Sequence, residues 1–194
     1  MPQGPSAPRE AHLQVPDNRV ESSRLNRNSL KILSENCPQA SRGEYKPASP
    51  PRRLAAGEQM KYLVVSPQCP PESFWSKDDQ QSQLVELLQH IRTAYNIDND
   101  RIYLTGLSMG GYGTWKLAAN HPDTFAAAVP ICGKGDPKDA VKLRDLPIWA
   151  WHGTDDTTVP FLGSLEMVDA IKSVGGSQIR FTPLKHIGHA SWQA

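Results

Sequence analysis

The sequence predicts an α/β fold, a mostly parallel sheet flanked by helices, and three observations lead there. Short β-branched and apolar runs recur along residues 61–184, segments of helical period stand between them, and no run is long enough to be anything but a strand or helix of a globular domain. One strand-to-helix junction also carries the pentapeptide Gly106-Leu107-Ser108-Met109-Gly110.

The elements follow in order. Lys61 to Ser66 reads as an apolar strand ending at Pro67, and the Pro70-Pro71 stretch is a loop. Phe74 and Trp75 in that loop either line a substrate cleft or pack over it. From Asp79 to Tyr95, Leu84, Leu87, Leu88 and Ile91 recur at helical spacing and form a core-facing stripe. Asp98-Asn99-Asp100 is a turn leading into the strand Arg101 to Thr105, and the helix Met109 to Asn120 ends at His121-Pro122. Further strands are expected at Phe125 to Ile131, Pro147 to His152 and Gln178 to Leu184. A helix at Leu165 to Val174 is closed by Gly175-Gly176. Five strands alternating with helices imply a parallel sheet with right-handed crossovers.

The serine at the centre of the pentapeptide is the candidate nucleophile. Such a pattern arises by chance in roughly one chain in fifteen of this length, but a strand before it and a helix after it remove most chance cases. Between those elements the serine takes a strained backbone and its hydroxyl stands above the sheet. A lone hydroxyl is a poor nucleophile near neutral pH, so it needs a histidine base held by an acid, in the chain order Ser, Asp/Glu, His for this kind of turn. Asp155 and Asp156 lie in the loop leaving the Pro147–His152 strand. His186 and His189 lie after the last strand, at the carboxyl end of the sheet where catalytic groups of open α/β sheets gather. Spacing does not separate Asp155 from Asp156. His189, after the flexible Gly188, is preferred over His186, and Asp136 is an outside candidate for the acid.

Residues 53–194 resemble the phospholipase/carboxylesterase branch of the α/β-hydrolase superfamily, the relatives of dienelactone hydrolases. The resemblance is carried by Val65-Ser66-Pro67-Gln68-Cys69-Pro70, by Gly106 to Gly111, by Trp151-His152-Gly153-Thr154-Asp155-Asp156-Thr157-Thr158-Val159-Pro160 and by Gly188-His189-Ala190-Ser191-Trp192. It implies a triad of Ser108, Asp156 and His189 and an acyl-enzyme mechanism that needs no cofactor or metal. The Met109 N–H, on the residue after the nucleophile at the start of the helix, is expected as one oxyanion donor, and Gln68 and Trp75 are the candidate substrate-binding residues. The small-molecule substrate implied is a carboxylic ester. A peptidase of the same triad order, and a silent scaffold that keeps the triad letters without an oxyanion hole, are the competing readings.

The departure from the family lies upstream. No His-Gly-Gly loop is present to supply a second oxyanion donor, and residues 1–52 are rich in Pro, Ser, Asn and Arg. Residues 1–53 carry nine Lys/Arg against five Asp/Glu, a charge of +4, and residues 54–194 carry twelve against fifteen, a charge of −3, summing to the +1 of the whole chain. The expectation is a disordered or non-homologous segment over 1–52 and a hydrolase domain over 53–194. That domain would be incomplete at both ends, with its N-terminal strands missing, one edge of a central strand open and poor solubility as the consequence. The scattered charges without interleaved aromatics argue against nucleic acid as a partner. No apolar stretch of a length to span a membrane and no signal-peptide core are present. Three cysteines without metal-type spacing point to a reducing, cytoplasmic setting.

Overall fold

The computed structural model describes residues 56–191 and the backbone of residues 30–35. Six strands are present among these residues: β1 (Leu30–Glu35), β2 (Leu63–Val65), β3 (Ile102–Leu107), β4 (Ala127–Ile131), β5 (Ile148–Gly153) and β6 (Ile179–Leu184). The helices are α1 (Asp78–Ala94), α2 (Met109–Asn120) and α3 (Leu162–Ser173). The strands form one sheet in the order β2-β1-β3-β4-β5-β6, with every pairing parallel.

β1 corrects the reading of the N-terminal segment. It lies inside residues 1–52 yet pairs with β3 from Leu30↔Ile102 to Glu35↔Leu107 and with β2 on its other side. The edge of β3 that was expected to lie open is therefore covered, and the expected source of insolubility goes with it. The rest of that segment lies outside the described residues. The signal missed was the short Leu30-Lys31-Ile32-Leu33 run, whose apolar content is diluted by the polar sequence around it.

The core explains why these segments hold their conformations. β3 buries Ile102 and Leu104 with period two, and α1 buries Leu84, Leu88 and Ile91 with helical period. Each such side chain contributes roughly 1.5–3 kcal/mol on leaving water. α2 is buried around most of its circumference, including Trp115, Leu117 and Ala118, so it is the central helix of its layer.

Strand order places the site. The chain runs from β1 outward to β2, returns past β1 to β3, and then proceeds to β4, β5 and β6 on the opposite side. The order therefore reverses between β1 and β3. A crevice forms outside the carboxyl ends of the strands at such a reversal, and Ser108 follows the last residue of β3 directly.

Candidate active site

Ser108 occupies the junction between β3 and α2 with φ 56° and ψ −119°, a region that a residue with a side chain enters only under strain. Such a conformation costs on the order of 1–3 kcal/mol and persists only where its surroundings enforce it. Here the Ser108 N–H donates to the Ile131 carbonyl at 3.0 Å and lies 3.3 Å from Cys132 Sγ, which locks the turn to the end of β4. The first turn of α2 presses on the same place. A Cβ on Gly111 would stand 2.5 Å from the Ile131 carbonyl oxygen, so only glycine allows this contact between helix start and strand end.

The loop after β5 carries the acid. Asp156 Oδ1 accepts from the N–H groups of Thr158 and Val159, both at 2.9 Å, and its side chain is fully buried. Burial alone would push this carboxyl up. The hydrogen bonds from His189, Val159 and Thr158 outweigh it and hold the group below the ordinary carboxylate range. The loop after β6 lies against the acid loop because Gly153 meets the Ile187 and Gly188 carbonyls where a side chain would not fit, and the Asp155 N–H donates to the Ile187 carbonyl at 3.0 Å.

Close approach of these two loops brings the three side chains together. His189 Nδ1 is 2.8 Å from Asp156 Oδ2, and His189 Nε2 is 2.8 Å from Ser108 Oγ. A carboxylate can only accept, so the neutral ring carries its proton on Nδ1 and presents Nε2 as acceptor to the Ser108 hydroxyl. The arrangement can thus take a proton from Ser108 while the buried carboxylate stabilises the resulting imidazolium.

The alternatives left by spacing sit elsewhere. Asp155 and His186 are exposed, with His186 Nδ1 3.7 Å from Asp155 Oδ2. Asp136 accepts from the Lys138 N–H at 3.0 Å and caps the 3₁₀ turn Pro137–Leu143. Gln68 is exposed after β2, and the bonds of the relay do not involve it. Trp75 requires a correction: it is 2 % exposed within the core, packed where a Cβ on Gly113 would stand 2.6 Å from its own Cβ. Its indole is a packing element beneath α2. Phe74 beside it faces outward instead and meets Tyr112 edge-on at 5.5 Å between ring centres. Burial, Asp156 and Cys132 together push the Tyr112 phenol up, which keeps it neutral beside the relay.

Met109 begins α2, so its backbone N–H belongs to the first turn of the helix, beside the candidate nucleophile. Residues 36–55, which follow β1, lie outside the described residues, as does Trp192. Among the described residues one set of metal-ligand atoms gathers: Cys132, Asp156 and His189 lie within 4.8 Å of one another. Two of these are hydrogen-bonded to each other in the relay.

The comparisons with known proteins converge on this fold. The model of the prolyl oligopeptidase family matches residues 74–149, which span α1, Ser108 and the start of β5. The crystal structure of a thermostable esterase superposes with a TM-score of 0.71 at 29% identity, covering 90% of this chain and 52% of that one. The chain has the α/β-hydrolase fold. Esterase PE8 superposes on the chain at TM-score 0.63 with 19% identity, over 84% of the chain and 85% of its own, which speaks for the fold alone. By sequence, the chain is 36% identical over 72 residues to poly(3-hydroxyalkanoate) depolymerase C of Paucimonas lemoignei, covering 37% of the chain and 17% of that protein. It is 32% identical over 76 residues to the bifunctional acetylxylan esterase/xylanase XynS20E of Neocallimastix patriciarum, covering 39% of the chain and 11% of that protein. The chain thus spans under a fifth of these curated relatives and about half of the thermostable esterase.

His152 was not singled out from the sequence. It is fully buried, with Nε2 3.3 Å from Asp156 Oδ2 and 3.0 Å from the Val159 carbonyl, and Nδ1 2.7 Å from Ser164 Oγ. The signal available was its parity: Ile148, Ala150 and His152 share one face of β5, and that face is the buried one.

Proposed function

We propose that the protein is a serine-dependent carboxylic ester hydrolase. The observation that carries this reading is the continuous chain from Asp156 Oδ2 through His189 to Ser108 Oγ, with 2.8 Å at each link. Ser108 attacks the ester carbonyl as His189 Nε2 takes its proton, and the imidazolium then protonates the departing alcohol. Water, deprotonated by the same ring, hydrolyses the acyl-enzyme and restores Ser108. Asp156 keeps the imidazole in its Nδ1–H tautomer throughout. The Met109 N–H faces the developing oxyanion as one donor, and each donor of this kind is worth on the order of 3 kcal/mol in related chemistry. Esters of small or medium acyl chains are the substrate class. The esterase relatives support ester over amide.

The test is labelling with a fluorophosphonate probe followed by hydrolysis of p-nitrophenyl esters. Wild type should label at Ser108 and hydrolyse the esters, while Ser108→Ala should do neither. A folded wild type that does not label would leave the silent-scaffold reading standing. The prolyl oligopeptidase match favours a second reading, a peptidase, since both chemistries share the relay. Turnover of an amide at a rate comparable to that of its matched ester would select it.

A further inference from the structure

The atoms around His152 constrain its protons more tightly than burial alone would. Nε2 faces two acceptors and no donor, the Val159 carbonyl at 3.0 Å and Asp156 Oδ2 at 3.3 Å, so that nitrogen must carry a hydrogen. On the other side Nδ1, unprotonated in a neutral Nε2–H ring, accepts from the Ser164 hydroxyl at 2.7 Å, and the Gly133 carbonyl lies 2.9 Å from the same oxygen. Ser164 is itself fully buried on α3, and the edge of the Phe161 ring closes one side of the imidazole at 5.8 Å. The ring is thereby fixed at both nitrogens, and no water is needed to satisfy it.

We infer that His152 is a positioning residue for the relay: its Nε2–H braces Asp156 on the same carboxylate oxygen that holds His189. The inference rests on the ester-hydrolase reading for its functional meaning, but the brace can be measured without any turnover. Asp156 Oδ1 accepts from the Thr158 and Val159 N–H groups, and Oδ2 lies against two imidazoles, His189 Nδ1 at 2.8 Å and His152 Nε2 at 3.3 Å. The carboxylate plane cannot rotate without breaking several of these at once. His152 also ties the acid loop to α3 through Ser164.

Charge bookkeeping around the acid sharpens the expected effect. The titratable groups near Asp156 are His189 from the β6 loop, His152 at the end of β5, Cys132 after β4 and Tyr112 on α2. Burial drives the His152 imidazole down, towards the neutral form, against the opposing pull of the Val159 carbonyl and Asp156. A neutral ring with Nε2–H still donates to Asp156, so the brace does not require a second buried charge. Removing that donor should make the Asp156 anion less favoured and let its plane turn away from His189.

The decisive measurement is the carboxyl ¹³C NMR titration of Asp156 in the full-length wild type, His152→Phe and His152→Gln. Phenylalanine keeps a ring against Phe161 and lacks any donor, whereas glutamine offers an N–H towards the same acceptors. The midpoint should rise by about one pH unit in His152→Phe and return most of the way in His152→Gln. Should the Phe variant not fold, Ser164→Ala carries the test. It leaves the imidazole but removes its Nδ1 anchor, and should raise the midpoint in the same direction by less. An Asp156 midpoint unchanged in every folded variant, or moved as far by Gln as by Phe, overturns the inference. In the same samples the rate of fluorophosphonate labelling should fall about ten-fold in His152→Phe, its acid limb moving to higher pH, and recover in His152→Gln. A wild type that fails to label would count against the ester-hydrolase reading, while the NMR titration would still decide the brace.

Discussion

Two acid–histidine pairs lie side by side at the same rim, and they behave differently. Asp156 and His189 are 2.8 Å apart with side-chain exposures of 0% and 22%, whereas Asp155 and His186 are 3.7 Å apart with exposures of 58% and 90%. The residue types are the same and the acids are adjacent in the chain. What separates them is the environment: the inner carboxylate is removed from water and held by backbone N–H groups, while the outer one accepts from the Thr154 hydroxyl and faces solvent. An exposed pair at that separation contributes little and is screened by salt, but in a buried site each hydrogen bond acts in a low dielectric. Chemistry at this rim is therefore a matter of which pair is desolvated and braced.

The comparison can be broken most severely at its shared endpoint. Ser108→Ala or His189→Ala should lower kcat for ester hydrolysis by on the order of 10⁶-fold, read with a p-nitrophenyl ester. Next come the acids themselves. Asp156→Asn should cost about 10⁴-fold in kcat because the wrong imidazole tautomer is favoured, while Asp155→Asn and His186→Ala should each stay within about two-fold. Equal losses from Asp155→Asn and Asp156→Asn would abolish the distinction between the pairs.

A smaller effect concerns the glycines that let the loops approach. Gly111→Ala places a methyl 2.5 Å from a backbone oxygen and should destabilise by about 3 kcal/mol in urea unfolding. Gly57→Ala has open space around it and is strained only by its φ of +86°, so it should cost about 1 kcal/mol. The smallest effect is pH-dependent. Since the folded protein holds the Asp156 carboxyl below its ordinary value, its stabilising contribution is complete above the unfolded value of about 3.9 and is lost as pH falls through the lower folded value. Asp156→Asn should flatten that acid slope of stability, which urea midpoints between about pH 5 and pH 2 would show.

Much of this was legible in the chain. α2 runs from Met109 to Asn120 as its pattern predicts, because a buried helix bounded by a strained serine and by His121-Pro122 has unambiguous ends. The strands from β3 to β6 were read to within two residues at each end, since each is an apolar run between turn residues. β1 was not read, because its partners β2 and β3 are far along the chain and its own run is short. An aromatic in a Pro-rich loop can line a cleft or pack over it, so the pattern does not place Trp75, and only the absence of a side chain at Gly113 lets it sink into the core. His152 shows only its parity on the buried face of β5, which marks it as inward-facing but not as a neighbour of the acid.

By itself the sequence determined the alternation of strands and helices, the strained serine turn, and the order in which nucleophile, acid and base candidates occur along the chain. These are local or periodic properties, and periods of two and 3.6 residues are written into neighbouring side chains. Spacing leaves open which aspartate and which histidine face Ser108, and the motif resemblance points to Asp156 and His189; their actual meeting, and the second buried imidazole behind the acid, were decided only by the tertiary structure. The reason is that burial and hydrogen-bond partnership depend on loops that meet across the sheet, and separations of 33 and 81 residues between the bonded side chains leave no trace in local pattern.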